Sequence, residues 1–216
     1  MRAVERRWLL ALAAVLAPLA ACGPASSGAT PASPTLTLTF TPKAFASTDV
    51  TLTTATMTLT DVHALGDTPP SSPPPSMTKP MHMDNVVALN ALGGAVAITI
   101  DLPPGLYSRV DFDVTDVSLA GTLTATGEPF TATLAMFQGP HVDLRPSSPV
   151  EVQAAGVDAS VPTIAIAVDP STWFAPPSPL DGATPSADGG VTCDDQQNAP
   201  AADALTMRLK PSFSVQ

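Results

Sequence analysis

Residues 96–114 read VAITIDLPPGLYSRVDFDV, and this stretch decides the fold class. Apolar side chains occupy every second position in residues 96–102 and again in residues 110–114. Successive side chains of a strand point to opposite faces, so a period of two indicates strands with one buried face each. Pro103-Pro104-Gly105 lies between the two runs, and we predict that it is the turn of a strand pair.

The same alternation continues outward along the chain. In residues 50–59 it changes phase at Thr53-Thr54, which predicts a β-bulge. Gly127-Glu128-Pro129 predicts a hairpin turn after Leu123. The other predicted strands carry these inward residues: Leu36, Leu38 and Phe40; Phe130, Ala132, Leu134 and Met136; Val142 and Leu144; Val150 and Val152; Ile164, Ile166 and Val168; Leu205, Met207 and Leu209; and Phe213 and Val215.

Many short strands with one apolar face each predict an all-β fold. We expect a two-sheet antiparallel sandwich, Ig-like or transthyretin-like, after a cleaved signal peptide and a flexible tether. A small closed barrel is the alternative architecture. No segment outside the N-terminal leader predicts a helix.

Composition excludes several classes of protein. Of the 216 residues only 13% are charged and 25 are proline, which excludes a long helical or coiled-coil chain. The formal charge is −10, and it becomes −12 once the leader is removed with three arginines and one glutamate. So acidic a chain is not expected to bind nucleic acid or anionic lipid headgroups.

The N-terminus has the pattern of an export signal. Residues 1–7 carry three arginines, and the apolar run of residues 8–21 is too short to span a bilayer. Leu19-Ala20-Ala21-Cys22 resembles the lipobox of bacterial lipoproteins. That resemblance implies cleavage between Ala21 and Cys22, acylation of Cys22, and anchoring to the cell envelope through lipid chains. Gly23 replaces the aspartate that favours inner-membrane retention, so the outer membrane is favoured over the inner.

The domain organisation follows from this signal. We predict a lipoprotein signal peptide at residues 1–21, a lipidated cysteine and Pro/Ser/Gly/Ala tether at 22–34, and a β-sandwich at 35–216 with long loops at 66–80 and 175–203. With Cys22 acylated, Cys193 is the one thiol left, so we expect no disulfide within the chain. The carboxylates of Asp194 and Asp195 are expected to raise its pKa.

Three short motifs carry a family resemblance. Residues 102–110 (LPPGLYSRV), residues 168–174 (VDPSTWF) and residues 211–213 (PSF) resemble, in this order, a family of uncharacterised bacterial lipoprotein domains. The resemblance covers residues 35–216. The family has no established activity, so the resemblance implies a β-sandwich and an envelope location but no chemistry.

Methionine and histidine cluster after the proline-rich segment. Met81, His82 and Met83 offer thioether and imidazole groups, the ligands that Cu(I) prefers, with His63 as a further ligand and Met77 nearby. Packing is the competing interpretation, because methionine fills irregular gaps in a core.

Acidic residues suggest other candidate sites. Arg109, Asp111 and Asp113 alternate with apolar residues, so they share one face of a strand. Paired carboxylates there are compatible with a hydrolase or a Ca²⁺ site, whereas a solvated sheet face is the alternative. Residues 188–195 offer a second Ca²⁺ candidate through Asp188, Asp194 and Asp195, against the alternative of an acidic solvated loop.

Aromatic residues suggest carbohydrate binding. Trp173 with Tyr107 is a candidate platform for stacking sugars, and core packing is the alternative. The sequence has no common catalytic motif, so we predict a protein that is not an enzyme. We expect a lipid-anchored envelope protein with a binding or structural domain, whose partners are the membrane and an unidentified envelope protein or glycan. A Cu(I)-binding protein and a carbohydrate-binding module are the alternatives.

Overall fold

The computed structural model describes residues 34–66, 85–135, 139–154 and 160–216, which contain eleven strands in two sheets. The four-stranded sheet has the order β11 (Phe213–Val215), β9 (Thr163–Val168), β1 (Thr35–Pro42) and β4 (Val96–Asp101). The seven-stranded sheet has the order β10 (Val191–Cys193), β6 (Pro129–Ala135), β5 (Gly105–Leu123), β2 (Val50–Gly66) and β3 (Val87–Asn90), with β7 (His141–Leu144) and β8 (Val150–Val152) also paired to β5.

Strand β5 organises the larger sheet. It is 19 residues long, and β2 pairs with it in antiparallel register from Tyr107 to Leu123. A strand has two edges, so β8, β7 and β6 follow one another along the opposite edge, at residues 105–107, 110–113 and 116–122. This arrangement brings side chains from β2 and β7 to either side of the same stretch of β5.

The predicted two-sheet sandwich is confirmed, because the alternating apolar residues of both sheets form one buried core. Phe112 of β5 lies at its centre. Its ring meets the rings of Phe40 and Phe213, which belong to the other sheet, edge to face at centroid distances of 5.6 Å and 5.0 Å. Aromatic pairs in this geometry contribute more than their buried area alone, about 0.5–1.5 kcal/mol each.

Two local predictions are confirmed. The register between β2 and β5 shifts between Leu52 and Thr54, where the alternation changes phase. Strands β5 and β6 form a hairpin whose turn contains Gly127 at a φ of 74°, a value that glycine adopts without steric cost.

The predicted pairing across Pro103-Pro104-Gly105 is wrong. Both strands exist, but β4 pairs with β1 in one sheet and β5 belongs to the other. The segment therefore crosses between sheets, and the hydroxyl of Tyr107 donates a hydrogen bond to the carbonyl of Pro103 over 2.7 Å. An alternating pattern shows that each strand has one buried face, which is equally true of a hairpin and of two strands facing each other across a core.

Each sheet contains one parallel strand pair among antiparallel pairs, so the prediction of antiparallel sheets is right for most pairs but not for all. Strand β1 pairs in parallel with β9, and β6 pairs in parallel with β10. Parallel neighbours need a long connection, and both pairs join strands that are far apart in the sequence.

The predicted strand at Leu205, Met207 and Leu209 is a helix, α1 (Ala199–Leu209). Its buried residues are Ala201, Ala202, Leu205 and Leu209, a helical spacing, whereas Met207 is 77% exposed. Pro200 lies in the first turn, where the missing N–H costs nothing. The prediction of one long loop at 175–203 is also wrong in part, since this range contains β10 and the start of α1.

Arg208 of α1 holds the preceding segment in place. Its guanidinium donates to the carbonyls of Trp173, Ala175 and Pro177 at 3.2, 2.6 and 2.5 Å. Three acceptors on one planar group give an orientation that a lysine ammonium does not reproduce.

Several predictions concern residues outside the described part of the chain. These are the signal peptide at 1–21, its cleavage site at Ala21, the lipidated Cys22 with nearly all of the tether, the loop beyond Gly66, the segment of Met77, Met81, His82 and Met83, and the inward position predicted for Met136. A search of the described helices found none of sufficient length and apolarity to span a bilayer.

Gly121 supplies the first testable prediction. A Cβ atom at this position would lie 2.1 Å from the carbonyl oxygen of Thr51 on the neighbouring strand, too close for any real contact. We expect Gly121→Ala to lower the free energy of unfolding by about 2–3 kcal/mol, because the backbone of a central strand must shift. Urea denaturation measures the loss.

Gly94→Ala is the matched control, since its Cβ would meet nothing within 4 Å. We expect a change within about 0.5 kcal/mol for this exposed site. Equal stabilities of the two variants would show that β2 and β5 do not approach each other as described.

Candidate functional site

The outer face of the seven-stranded sheet carries two neighbouring polar regions. The first, which we call the charged cluster, consists of Asp61, His63, Arg109, Asp111, Asp113, His141, Asp143 and Arg145. Strand register aligns its members, because Asp111 of β5 pairs with His63 of β2 on one side and with Asp143 of β7 on the other. His141 pairs with Asp113 in the next row.

Asp111 is the centre of the charged cluster. It shares a face with Arg109 and Asp113, as predicted, but the expectation that this face is solvated is wrong for Asp111, which is only 3% exposed. Its Oδ2 atom lies 2.9 Å from Nη2 of Arg109, 3.6 Å from Nε2 of His141 and 3.9 Å from Nε2 of His63. The neighbouring side chains therefore surround this carboxylate and exclude water from it.

Each imidazole is oriented through its other nitrogen. Nδ1 of His63 donates to the backbone carbonyl of Asp61 over 2.6 Å, since a carbonyl can only accept. Nδ1 of His141 lies 2.8 Å from Oδ1 of Asp113. Both rings consequently present Nε2 toward Asp111, and in His141 both nitrogens face carboxylates.

Some buried atoms of the charged cluster lack hydrogen bonds within the described residues. They are Nε of Arg109, Oδ1 of Asp111 and Oδ1 of Asp143. A buried polar atom without a partner costs about 1–3 kcal/mol. These buried atoms without hydrogen bonds therefore lower the free energy of unfolding.

The charged cluster is not a metal centre as it stands. Across residues 34–66, 85–135, 139–154 and 160–216, no three His, Cys, Asp or Glu side chains come together in a way that would hold a metal ion. This finding disfavours Ca²⁺ binding at Asp111 and Asp113.

It equally disfavours the predicted Ca²⁺ site at Asp188, Asp194 and Asp195. Asp188 accepts a hydrogen bond from Ser186, which lowers the pKa of its carboxyl group. Asp194 accepts from the backbone N–H groups of Gln196 and Gln197 at 2.8 and 2.6 Å. These two carboxylates serve local turns.

The predicted sugar-stacking platform does not form. Trp173 is 0% exposed within the core and Tyr107 is 7% exposed, so neither ring is available to a ligand. Burial also raises the pKa of the Tyr107 hydroxyl. Core packing, the alternative interpretation, is correct because a chain with so few aromatic residues uses them to fill its interior.

The second region, which we call the threonine groove, lies along the same outer face. It crosses β3, β2, β5 and β6 and has a volume of about 440 Å³. The side chains that line it on the exposed side are mostly small and polar: Thr56, Thr58, Ala88, Asn90, Asp116, Ser118, Thr133 and Ala135.

Sequence reasoning gave no role to His141 or Asp143, and it did not single out the hydroxyl residues of the groove. Alternation identifies which side chains point outward, but it does not show which strands become neighbours. Only the pairing of β7 with β5 and of β6 with β5 brings these residues together.

No family model, curated protein or solved structure matches this chain. Its function is therefore argued from the geometry of the described residues.

Cys193 lies in β10 as a free, fully buried thiol. Burial, and secondarily the charge of Asp194, raises its pKa from 9.0 to about 11. The direction predicted from the acidic neighbours is confirmed, although burial is the larger cause. A thiol that is both protonated and inaccessible is a poor nucleophile.

In a chain with Cys22→Ser, Cys193 is the sole thiol. We expect it to react with a disulfide reagent only after unfolding. The unfolded thiol ionises near pH 9.0 and the native thiol near 11, so the free energy of unfolding should fall as pH rises between these values. Denaturant titrations across this range measure the slope.

Cys193→Ala is the control, because it removes this titration and leaves every other ionisable group in place. Its stability should decline less steeply over the same pH range. Rapid labelling of the native protein, or identical slopes in both chains, would contradict the burial of Cys193.

Proposed function

We propose that this protein is a lipid-anchored, non-enzymatic binding module of the cell envelope, with the outer membrane favoured over the inner. In this proposal the chain is cleaved after Ala21, acylated at Cys22 and connected by the tether to the sandwich. The observation that carries the binding role is the outer face of the seven-stranded sheet, where a groove and a charged cluster lie side by side. The opposite face of that sheet is occupied by the core.

The state of His141 supports a role other than catalysis. A general base needs a nitrogen that can take a proton from a substrate. Both nitrogens of His141 face carboxylates. This ring is therefore suited to shaping a charged surface rather than to proton transfer.

Cys22→Ser tests the anchoring. Cells that express the natural sequence should incorporate labelled palmitate into the protein and retain it in the membrane fraction. The variant should lose both, because no second membrane attachment is proposed and a serine has no sulfur to form the thioether that carries the diacylglyceryl group.

Cys193→Ser is the matched control, and it should keep the label and the membrane location. If Cys22→Ser remains in the membrane fraction, the proposed anchor is wrong.

One observation favours Cu(I) binding as a second candidate function. Asn85 is hydrogen-bonded to Val62, through Val62 N–H to the Asn85 carbonyl at 3.4 Å and Asn85 Nδ2 to the Val62 carbonyl at 3.2 Å. His63 is the next residue after Val62. Asn85, the first described residue after the segment of the predicted ligands, is thus held beside the residue that precedes His63.

The test is Cu(I) affinity measured by competition with a chromophoric chelator under reducing conditions. We expect the triple variant Met81→Ala/His82→Ala/Met83→Ala to lose tight binding, and His63→Ala to weaken it, because soft ligands are removed. Met207→Ala, an exposed methionine on α1, is the control and should bind as the natural sequence does. Unchanged affinity in the triple variant would exclude this function.

A further inference from the structure

The threonine groove has the properties of a ligand site. Its volume of about 440 Å³ falls in the range of small-molecule pockets. Strand register places Asn90, Thr56, Ser118 and Thr133 in one row, each directly opposite the next on four neighbouring strands. Strands are about 4.8 Å apart, so this row extends over about 14 Å. The groove is accordingly matched to a ligand that runs across the strands.

The hydroxyl groups of this row are available. The side chains of Thr56, Ser118 and Thr133 are exposed, and within the described chain they make no side-chain hydrogen bond. Each hydroxyl both donates and accepts a hydrogen bond. Ala88 and Ala135 line the groove with methyl groups only, which leaves room above the sheet.

We propose that the threonine groove binds a neutral polysaccharide chain. This inference rests on the proposed binding role of the outer face and names its ligand. A chain of sugar hydroxyls presents the donors and acceptors that complement a row of protein hydroxyls.

Charge argues against other ligands. Asp116 is the one charged side chain among the described residues that line the groove, and the protein as a whole carries a formal charge of −10, so a polyanion is repelled. A protein partner would be expected to use aromatic or arginine anchors, and the described residues that line the groove include neither.

The described lining of the groove holds no aromatic ring, and this sets the expected strength of binding. Each hydrogen bond to a sugar replaces one to water and therefore adds little net affinity, so a single groove binds weakly. Many anchored copies facing one polymer convert weak contacts into firm attachment through a high effective concentration. The proposed lipid anchor and the groove therefore act together.

The experiment is affinity electrophoresis of the full mature sequence with Cys22→Ser, in native gels that contain dextran, galactomannan or the acidic polymer hyaluronate. We expect retardation in at least one of the two neutral gels and none in hyaluronate. The variant Thr56→Val/Ser118→Ala/Thr133→Val should lower the affinity about tenfold or more, because three hydrogen bonds are lost while the strand shape is kept.

The matched control removes an equivalent row from the other sheet. Thr37, Thr99 and Thr163 are aligned across β1, β4 and β9, and changing all three to valine should leave the retardation unchanged. Melting temperatures of both variants verify that each is folded.

Four outcomes overturn the proposal: no retardation in either neutral gel, retardation in hyaluronate alone, equal retardation of the groove variant and the natural sequence, or equal losses in the groove and control variants. Because this experiment uses an unlipidated chain, its failure leaves the anchoring proposal intact. Conversely, if Cys22→Ser remains in the membrane fraction, the anchoring proposal is wrong but the groove proposal is unaffected.

Discussion

The contact of Phe112 with Phe40 and Phe213 joins the two sheets at the centre of the core. Phe112 comes from β5, which is paired from Tyr107 to Leu123 on one edge and to three successive strands on the other. Packing at this point fixes the inward face of β5, and alternation then fixes the outward face. Asp111 and Asp113, on either side of Phe112, point outward for this reason. The register with β2 shifts between Val114 and Val117, so Asp116 and Ser118 also face outward although their positions have the opposite parity.

Much of the fold could be predicted from alternation alone. The inward residues of β1, β2, β6, β7, β8 and β9 are found where the pattern places them, and the phase change at Thr53-Thr54 corresponds to a register shift. Alternation could not predict which strands are neighbours within a sheet. The prediction that β4 pairs with β5 was wrong because a turn between sheets and a hairpin turn can have the same local sequence. Helix α1 was missed because the spacing of Leu205 and Leu209 fits both the period of a strand and the period of a helix.

The candidate site was harder to predict than the fold because it depends on which strands are neighbours. Asp111 was recognised as an outward carboxylate, but its burial arises from His63 on β2 and His141 on β7, more than 20 residues away in each direction. The register between β2 and β5 shifts at four places, so counting residues could not align Thr56 with Ser118 or His63 with Asp111. Trp173 was a candidate for stacking sugars, but it is buried in the core. The small number of aromatic residues could suggest this burial but could not establish it.

The position of Phe213 affects when the core can close as the chain is synthesised. It lies in β11, pairs with β9 and completes the aromatic contact around Phe112, so the core closes only after that residue has left the ribosome. Until then an edge of β9 and part of the apolar interior remain uncovered, a condition in which partly folded chains aggregate. The aromatic contact at the centre of the core is therefore completed only when β11 has paired with β9.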